Sequence, residues 1–291
     1  VDDRYRPGVA YEHPLAYVLG LEGLALLRSF RGEHDRAFVA ERLAEIRRLL
    51  ADSPDGVEVA HVDPVEGYDL WAPTYDSPNP AFDFDEPFVR EVAGRLSPGV
   101  ALDAACGTGR VTAVLAECGH RVVGVDSSPG MLELARKRLP DGEFHVGSLT
   151  ALPSGPVDLV TCALALTHVP DLGPVFAGFA RVLRPGGRVV IADVHPEQVA
   201  RGHVPAVRRA DGAPGRVLSH CHRTGDYLRA ALAAGLEPVR CEEPVAPARE
   251  IPASEPGPWE TWPWSLAGLA PAAAQAAGAG VPSMILWEFR N

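Results

Sequence analysis

The sequence predicts an α/β protein, a seven-stranded sheet with helices on both faces, with an N-terminal helical pair before it and a C-terminal cover near its end. Two observations carry this reading. Between Val100 and about Pro244 short apolar runs alternate with helical patterns, as they do where parallel strands are joined by crossover helices. From Leu15 to Leu50 apolar residues recur at helical spacing, Leu21, Leu24 and Leu27 and then Phe38, Leu43, Ile46 and Leu50, with Arg31-Gly32 as the joint of a helical pair.

The elements follow in order. Ala51 to Pro64 is polar, contains Asp-Ser-Pro-Asp-Gly and reads as a linker. Strands are expected at Val100 to Ala105, Arg121 to Asp126, Glu143 to Gly147, Val157 to Ala163, Arg188 to Val194, Leu236 to Cys241 and Ser283 to Arg290. Val111, Val114, Leu115 and Cys118 share one helix face before Gly119 stops the turn. Ser128 caps a second helix with Pro129 at its first position, and Pro140 ends it. Leu172, Val175, Phe176, Phe179, Val182 and Leu183 form the stripe of a third, which Pro185-Gly186-Gly187 terminates. The stretch from Pro244 to Pro263 is Pro-rich and carries Trp259 and Trp262, with Trp264 just beyond, and an Ala-rich helix follows.

Composition narrows the function. With 46% hydrophobic and 22% charged residues the chain is globular. Its most apolar early stretch is interrupted by Glu22 and closed by Arg28, short of the about 20 apolar residues that cross a bilayer, so no membrane partner is expected. A net charge of −11 repels phosphate backbones, which argues against nucleic acid. Five cysteines without a C-x-x-C pair indicate no disulfide framework and point to the cytoplasm.

Asp103-Ala-Ala-Cys-Gly107-Thr-Gly109 follows the first strand and opens a helix, where glycine lets a ligand approach the backbone and the positive helix end faces it. Asp126 ends the second strand, where an acidic residue grips the two ribose hydroxyls of a nucleoside. A dehydrogenase fingerprint would place a third glycine where this chain has Thr112.

From Asp103 onward the chain resembles the class I S-adenosylmethionine-dependent methyltransferases, of the small-molecule group that includes the ubiquinone and menaquinone C-methyltransferases. The matching motifs are Leu102-Asp103-Ala-Ala-Cys106-Gly107-Thr108-Gly109, Val125-Asp126-Ser127-Ser128-Pro-Gly-Met131-Leu132, Asp158-Leu159-Val160 running into Leu166-Thr-His168-Val-Pro-Asp171, and Leu183-Arg-Pro-Gly-Gly187. The resemblance implies a Rossmann-like sheet with an antiparallel last strand. It divides the chain into an N-terminal helical extension and linker, 1–62, and a methyltransferase domain, 63–291, with substrate-cover insertions at 196–223 and 244–280. It implies S-adenosyl-L-methionine as cofactor and a small molecule as acceptor.

Position by position, the resemblance has Asp103 and the backbone of Ala105, Gly107 and Gly109 face the cofactor's methionine part and Asp126 its ribose, with Ser127 and Leu149 also in the cofactor site. Met131 packs on the adenine, where a polarizable thioether suits a flat ring. Ser148, beside Leu149, stands where the family usually has an aspartate for the adenine amino group, and Ala105 where it usually has glycine. Cys162 ends the fourth strand, near the amino-acid part. Tyr68-Asp-Leu-Trp71-Ala-Pro-Thr-Tyr75-Asp76 resembles a segment that lies across the cofactor, which makes Tyr75, Tyr68 and Trp71 candidates to close over it.

Methyl transfer needs a nucleophile held in line with the methyl group, and histidine is the natural base near neutral pH. His168, His195 and His222 are the candidates, each with a structural role as the alternative. The alternation His220-Cys221-His222 makes a poor metal site, with no further ligand in sequence. The tryptophans of the apolar cover either fill a core beneath it or line a pocket, and as a pocket they favour a neutral aromatic acceptor of indole type, from secondary metabolism; the resemblance to C-methyltransferases implies methylation on carbon. N- or O-methylation, and cofactor binding without turnover, are the alternatives. The N-terminal helices either cap the site or form a homodimer interface.

Overall fold

The structure, a computed structural model, describes residues 8–51 and 55–291. The start of the expected N-terminal extension, and Asp52, Ser53 and Pro54 of the expected linker, lie outside the described residues. The chain forms two units, each assembled from three segments.

One unit comprises Val1–Val62, Gly202–Val217 and Val245–Val281. The expected helical pair is here, Pro14–Arg28 and Arg36–Leu49, and Gly32 supplies the left-handed φ of 74° at the joint. The segment read as a linker instead supplies a strand, Val57–Val62, which buries Val59 on one face and Val62 on the other. That strand pairs antiparallel with Val9–Glu12 and parallel with Pro214–Val217, which in turn pairs with Ala206–Arg208. Trp259 and Trp262 are buried in this unit's core beside Val18, Leu21, Ala273 and Ala277, whereas Trp264 is 53% exposed. Glu12 ties the edge strand to the core, taking two hydrogen bonds from Arg216 and one from Trp259 Nε1 at 2.9 Å.

Glu22 is the exception to the apolar packing. Its side chain is fully buried, with Arg42 at 3.4 Å, and Arg42 binds Glu45 more closely at 2.5 Å. Glu22 Oε2 and Arg42 Nε are buried without a hydrogen-bond partner. Burial pushes the Glu22 carboxyl up to about 7, against the pull of Arg42.

The other unit comprises Asp63–Arg201, Leu218–Pro244 and Pro282–Asn291. Its strands are β1 (Val100–Ala104), β2 (Arg121–Asp126), β3 (Glu143–Val146), β4 (Val157–Ala163), β5 (Leu183–Val194), β6 (Glu237–Glu242) and β7 (Met284–Arg290). They lie in the order β6-β7-β5-β4-β1-β2-β3, parallel except β7, which is antiparallel to both β5 and β6. The chain turns to opposite sides of the sheet after β1, so the carboxyl ends of β1 and β4 splay around a crevice where open α/β sheets bind ligands.

Seven helices surround the sheet: α1 (Pro64–Trp71), α2 (Phe82–Arg95), α3 (Arg110–Glu117), α4 (Pro129–Arg138), α5 (Leu172–Val182), the short α6 (Pro196–Ala200) and α7 (Thr224–Ala233). Val175, Phe176 and Phe179 of α5 are fully buried with Leu102, Val160, Ile191 and Phe289 on one face. Phe88, Val92 and Leu115 from α2 and α3 pack with Leu159, Val190 and Leu286 on the other. Two such cores fix the strand ends in space. Among the described residues no helix is long and apolar enough to cross a membrane.

Candidate functional site

A cavity of about 260 Å³ opens at the carboxyl ends of β1, β2 and β4. Its floor is the turn from β1 into α3. Gly107 has φ 54° and nothing within 4 Å of where a Cβ would stand, so the backbone is bare toward a ligand. Gly109, at φ 78°, lines neither this cavity nor its small neighbour; a Cβ there would stand 3.1 Å from Ala135 of α4, so it is glycine for helix packing.

Two non-glycine residues hold left-handed backbone here, Ala105 at φ 62° and Leu164 at φ 55°. They follow the adjacent central strands β1 and β4, and both line the cavity. Backbone strain of this kind costs about 1 kcal/mol or more per residue and clusters at functional sites.

Asp126 ends β2 and lines the cavity. Its carboxylate accepts from Gly107 N at Oδ2 and Ser128 N at Oδ1, each at 2.8 Å, so each oxygen keeps a lone pair for a ligand hydroxyl. Burial pushes its carboxyl above the usual range, and these backbone donors oppose the shift. Ser127, Met131, Ser148 and Leu149 line the same cavity, and Met131 is 1% exposed. Ser148 Oγ lies 3.0 Å from the Thr150 hydroxyl, which supplies a second neutral polar group where a carboxylate was expected in relatives.

Asp103 lines a smaller pocket of about 20 Å³ that shares Tyr75, Ala105, Gly107 and Ala163 with the larger one. Both carboxylate oxygens are taken, by Thr112 Oγ1 at 2.6 Å and Thr161 Oγ1 at 2.8 Å, and burial still pushes the group up to about 6. Thr112, at the position where a dinucleotide fingerprint has its third glycine, therefore serves the acid instead. Cys162 lines neither pocket; its thiol lies in the apolar core, and burial holds it well above its ordinary value, so it is not a nucleophile.

Tyr68 and Tyr75 line the cavity, and Trp71, outside its lining, packs tilted against Tyr68 at 5.9 Å and edge-on to Tyr75 at 5.2 Å between ring centroids. The segment that carries them is fastened by two acids that sequence reasoning did not assign to the site. Asp69 accepts from Ser128 Oγ at 2.5 Å and Gly130 N at 2.9 Å, at the start of α4. Asp76 accepts from Thr108 Oγ1 at 2.7 Å and Arg138 at 2.5 Å. No spacing rule finds such pairs, because their partners lie far along the chain.

Of the three candidate histidines only His168 reaches the cavity. Its Nε2 is 2.8 Å from the Tyr68 hydroxyl and its Nδ1 is 2.8 Å from the Leu218 carbonyl. Burial holds it below the ordinary histidine value. His195 lies outside the cavity lining: its Nδ1 caps α6 by accepting from Glu197 N, and its Nε2 meets Glu243 Oε1 at 3.2 Å. His222 is likewise outside, with Nε2 donating to the Val169 carbonyl at 2.6 Å. The sequence reading also passed over Asp193, fully buried at the end of β5. It accepts from Thr167 N, Val194 N and the Tyr227 hydroxyl, and burial pushes it up to about 7.

These features fit a nucleoside cofactor with an amino-acid tail. A bare glycine turn, two free carboxylate lone pairs on Asp126, a buried thioether and an acid-lined side pocket are its complement. Asp126 is the sole charged side chain among the described residues that line the larger cavity.

Comparison with known proteins gives the same picture. Residues 102–191 match the family model described as a methyltransferase domain. The chain is 28% identical over 228 residues to an uncharacterized methyltransferase of Emericella nidulans, covering 64% of this chain and 79% of that one. It is 34% identical over 137 residues to the demethylmenaquinone methyltransferase of Renibacterium salmoninarum, covering 44% of this chain and 58% of that one, little more than half its length. In fold it is similar to an S-adenosylmethionine-dependent methyltransferase from Mesorhizobium loti, with a TM-score of 0.52 and 22% identity, over 72% of this chain and all of that one.

Proposed function

From the premise that this chain belongs to the class I S-adenosylmethionine-dependent methyltransferases, we propose that it methylates a neutral aromatic small molecule of indole type, with carbon as the methylated atom. The observation that carries this reading is the cavity itself, with one carboxylate, Asp126, among otherwise uncharged walls that include Leu164, Ala165, Val169 and Pro170. When bound, the cofactor supplies a methyl group on a sulfonium sulfur, and the electron pair of the broken carbon–sulfur bond stays on sulfur.

The chain's own contribution is to hold and orient. Asp126 takes the ribose hydroxyls and Met131 the adenine, with Ser148 and Thr150 at its edge. Asp103 faces the tail ammonium, and Tyr75 with Trp71 behind it closes the opposite wall. The resemblance to the ubiquinone and menaquinone C-methyltransferases, with a relative named demethylmenaquinone methyltransferase, supports carbon as the acceptor atom. The net charge of −11 supports a small molecule rather than nucleic acid, and five cysteines without a C-x-x-C pair support a cytoplasmic setting. Leu27 and Leu43, exposed on the N-terminal helices, with Phe30 at their joint and Leu50 at the end of the second, are the residues a homodimer through those helices would cover.

The test is incubation with methyl-labelled cofactor and a panel of indoles, with the methylated position read by NMR. Asp126→Ala should weaken S-adenosylhomocysteine binding at least about tenfold in calorimetry, the scale of losing hydrogen bonds to a charged group. Unchanged affinity would refute the assignment of the site.

A further inference from the structure

The hydrogen-bond polarity of the cavity wall is set by a backbone carbonyl. Leu218 O can only accept, and it lies 2.8 Å from His168 Nδ1, so Nδ1 carries the ring proton. The Ser219 hydroxyl, 3.5 Å from the same nitrogen, is the weaker neighbour. A neutral ring protonated at Nδ1 has a bare Nε2, and the Tyr68 hydroxyl 2.8 Å away must donate to it. Tyr68 has then committed its only proton. Its oxygen offers lone pairs alone to the cavity that both side chains line.

The ring has little freedom to reverse this order. Residues 218–222 run beside 167–169, with Leu218 O receiving His168 Nδ1–H, His220 N donating to Thr167 O at 2.6 Å and His222 Nε2 donating to Val169 O at 2.6 Å. Asp193 holds Thr167 N from the other side at 3.0 Å. The His-Cys-His alternation that invites a metal reading is thus a strut, its histidines spaced to meet alternate groups of the turn that carries His168.

We propose that Tyr68 is a catalytic residue that takes a proton from the acceptor while passing its own to His168, so that the acceptor must present an N–H or O–H. That group is either the methylated atom or conjugated to the methylated ring carbon. The inference rests on the methyl-transfer reading above. It balances: the acceptor's proton moves to the Tyr68 oxygen and Tyr68's proton to His168 Nε2. The positive charge brought by the sulfonium ends on the imidazole, which releases it to solvent, and the product leaves neutral.

The Tyr75 ring lies 6.1 Å from that of Tyr68, burial and then the charges of Tyr75, Asp193 and Asp126 hold the Tyr68 hydroxyl above its ordinary value, and burial with His220 holds His168 below its own. The two acids oppose a free phenolate, so the two proton movements are coupled. His168 acts through Tyr68 and is a positioning residue. Acceptors without a donor, such as N-methylindoles and aryl methyl ethers, meet only lone pairs and should be rejected.

The test has two arms. In ¹⁵N-histidine NMR of the cofactor-free protein at pH 7, with His168→Gln to identify the signals, His168 should be neutral with the proton on Nδ1, and Tyr68→Phe should shift Nε2. An Nε2–H tautomer or an imidazolium overturns the relay. In turnover with indole and phenol as probes, Tyr68→Phe should lower kcat about 100-fold, the scale of general acid–base catalysis, with S-adenosylhomocysteine affinity within about threefold of the parent. The acid limb of the kcat profile should vanish in His168→Gln. Full kcat in Tyr68→Phe, or equal methylation of 1-methylindole and indole, overturns the relay while leaving methyl transfer standing. Failure of the parent protein to bind S-adenosylhomocysteine overturns the methyl-transfer reading instead, and the tautomer is read independently of it.

Discussion

The two units treat a buried carboxylate in opposite ways. In the sheet unit Asp103 sits between two threonine hydroxyls and Asp193 between two backbone amides and a tyrosine. In the other unit Glu22 is as deeply buried, with one oxygen unpartnered and its arginine leaning toward Glu45. The contrast separates two uses of polarity. Around the cavity it builds a fixed frame, each acid placed by donors from more than one element: helix α3 and strand β4 for Asp103, and the turn at Thr167, β5 and helix α7 for Asp193. Beneath the N-terminal helices it is a cost that apolar packing by Val18, Leu21, Trp259 and the alanine helix offsets.

Breaking the frame should have the largest effect. Thr161→Val keeps shape but leaves Asp103 Oδ1 without its donor in a dry interior. We expect a loss of about 1.5–3 kcal/mol at pH 8 in urea unfolding, shrinking as pH falls through about 6, where the carboxyl takes a proton. An equal loss at pH 5 and pH 8 would show that packing, and not the carboxylate, is at stake.

The unsatisfied acid should respond in the other direction. Glu22 in the folded protein titrates near 7, above its ordinary value of 4.5, so the folded state holds a proton that the unfolded chain has released. Stability of that unit therefore falls as pH rises from about 4.5 to about 7. Glu22→Gln should remove this slope and stabilise the protein at pH 8 by about 1–3 kcal/mol, one pKa unit being worth roughly 1.4 kcal/mol. Thermal melts of both proteins across pH 5 to 8 check it, and a lower melting temperature for the variant at pH 8 would reverse the comparison.

The smallest effect belongs to backbone strain. Ala105→Gly relieves a left-handed alanine at the price of a more flexible unfolded chain, so we expect a gain of no more than about 1 kcal/mol. A clear destabilisation in urea would mean that the Ala105 methyl packs usefully and the strain is immaterial.

Much of the sheet unit could be read from local signals. Strand runs, Ser128 capping Met131 N, Pro129 at the first helical position and Asp126 at a strand end are decided within a few residues. What escaped depends on partners far apart in the chain: Asp69 with Ser128, Asp76 with Arg138, Asp193 with Tyr227. His195 and His222 looked like bases because their sequence neighbourhood places them near strand ends, but their ring nitrogens are engaged by local capping and by a carbonyl. Val57–Val62 has three valines but no sustained alternation, and the Pro-Asp-Gly cluster before it pointed to a linker. The tryptophans were ambiguous for a physical reason, since an aromatic side chain suits a core and a pocket equally well.

The interleaving of the two units reaches beyond this molecule to how its kin can be recognised. The chain passes between units at five points, and the longest uninterrupted stretch of the sheet unit runs from Asp63 to Arg201. A linear profile of the domain can follow the chain only while it stays in register with that stretch, and the match to 102–191 falls wholly inside it. The same weave sets a rule for inheritance. A shuffled or truncated gene that lost residues 1–62 would also strip Pro214–Val217 of its parallel partner strand. Three separated pieces of sequence have to be gained, kept or replaced together, so diversification should proceed by substitution within the unit rather than by exchange of it.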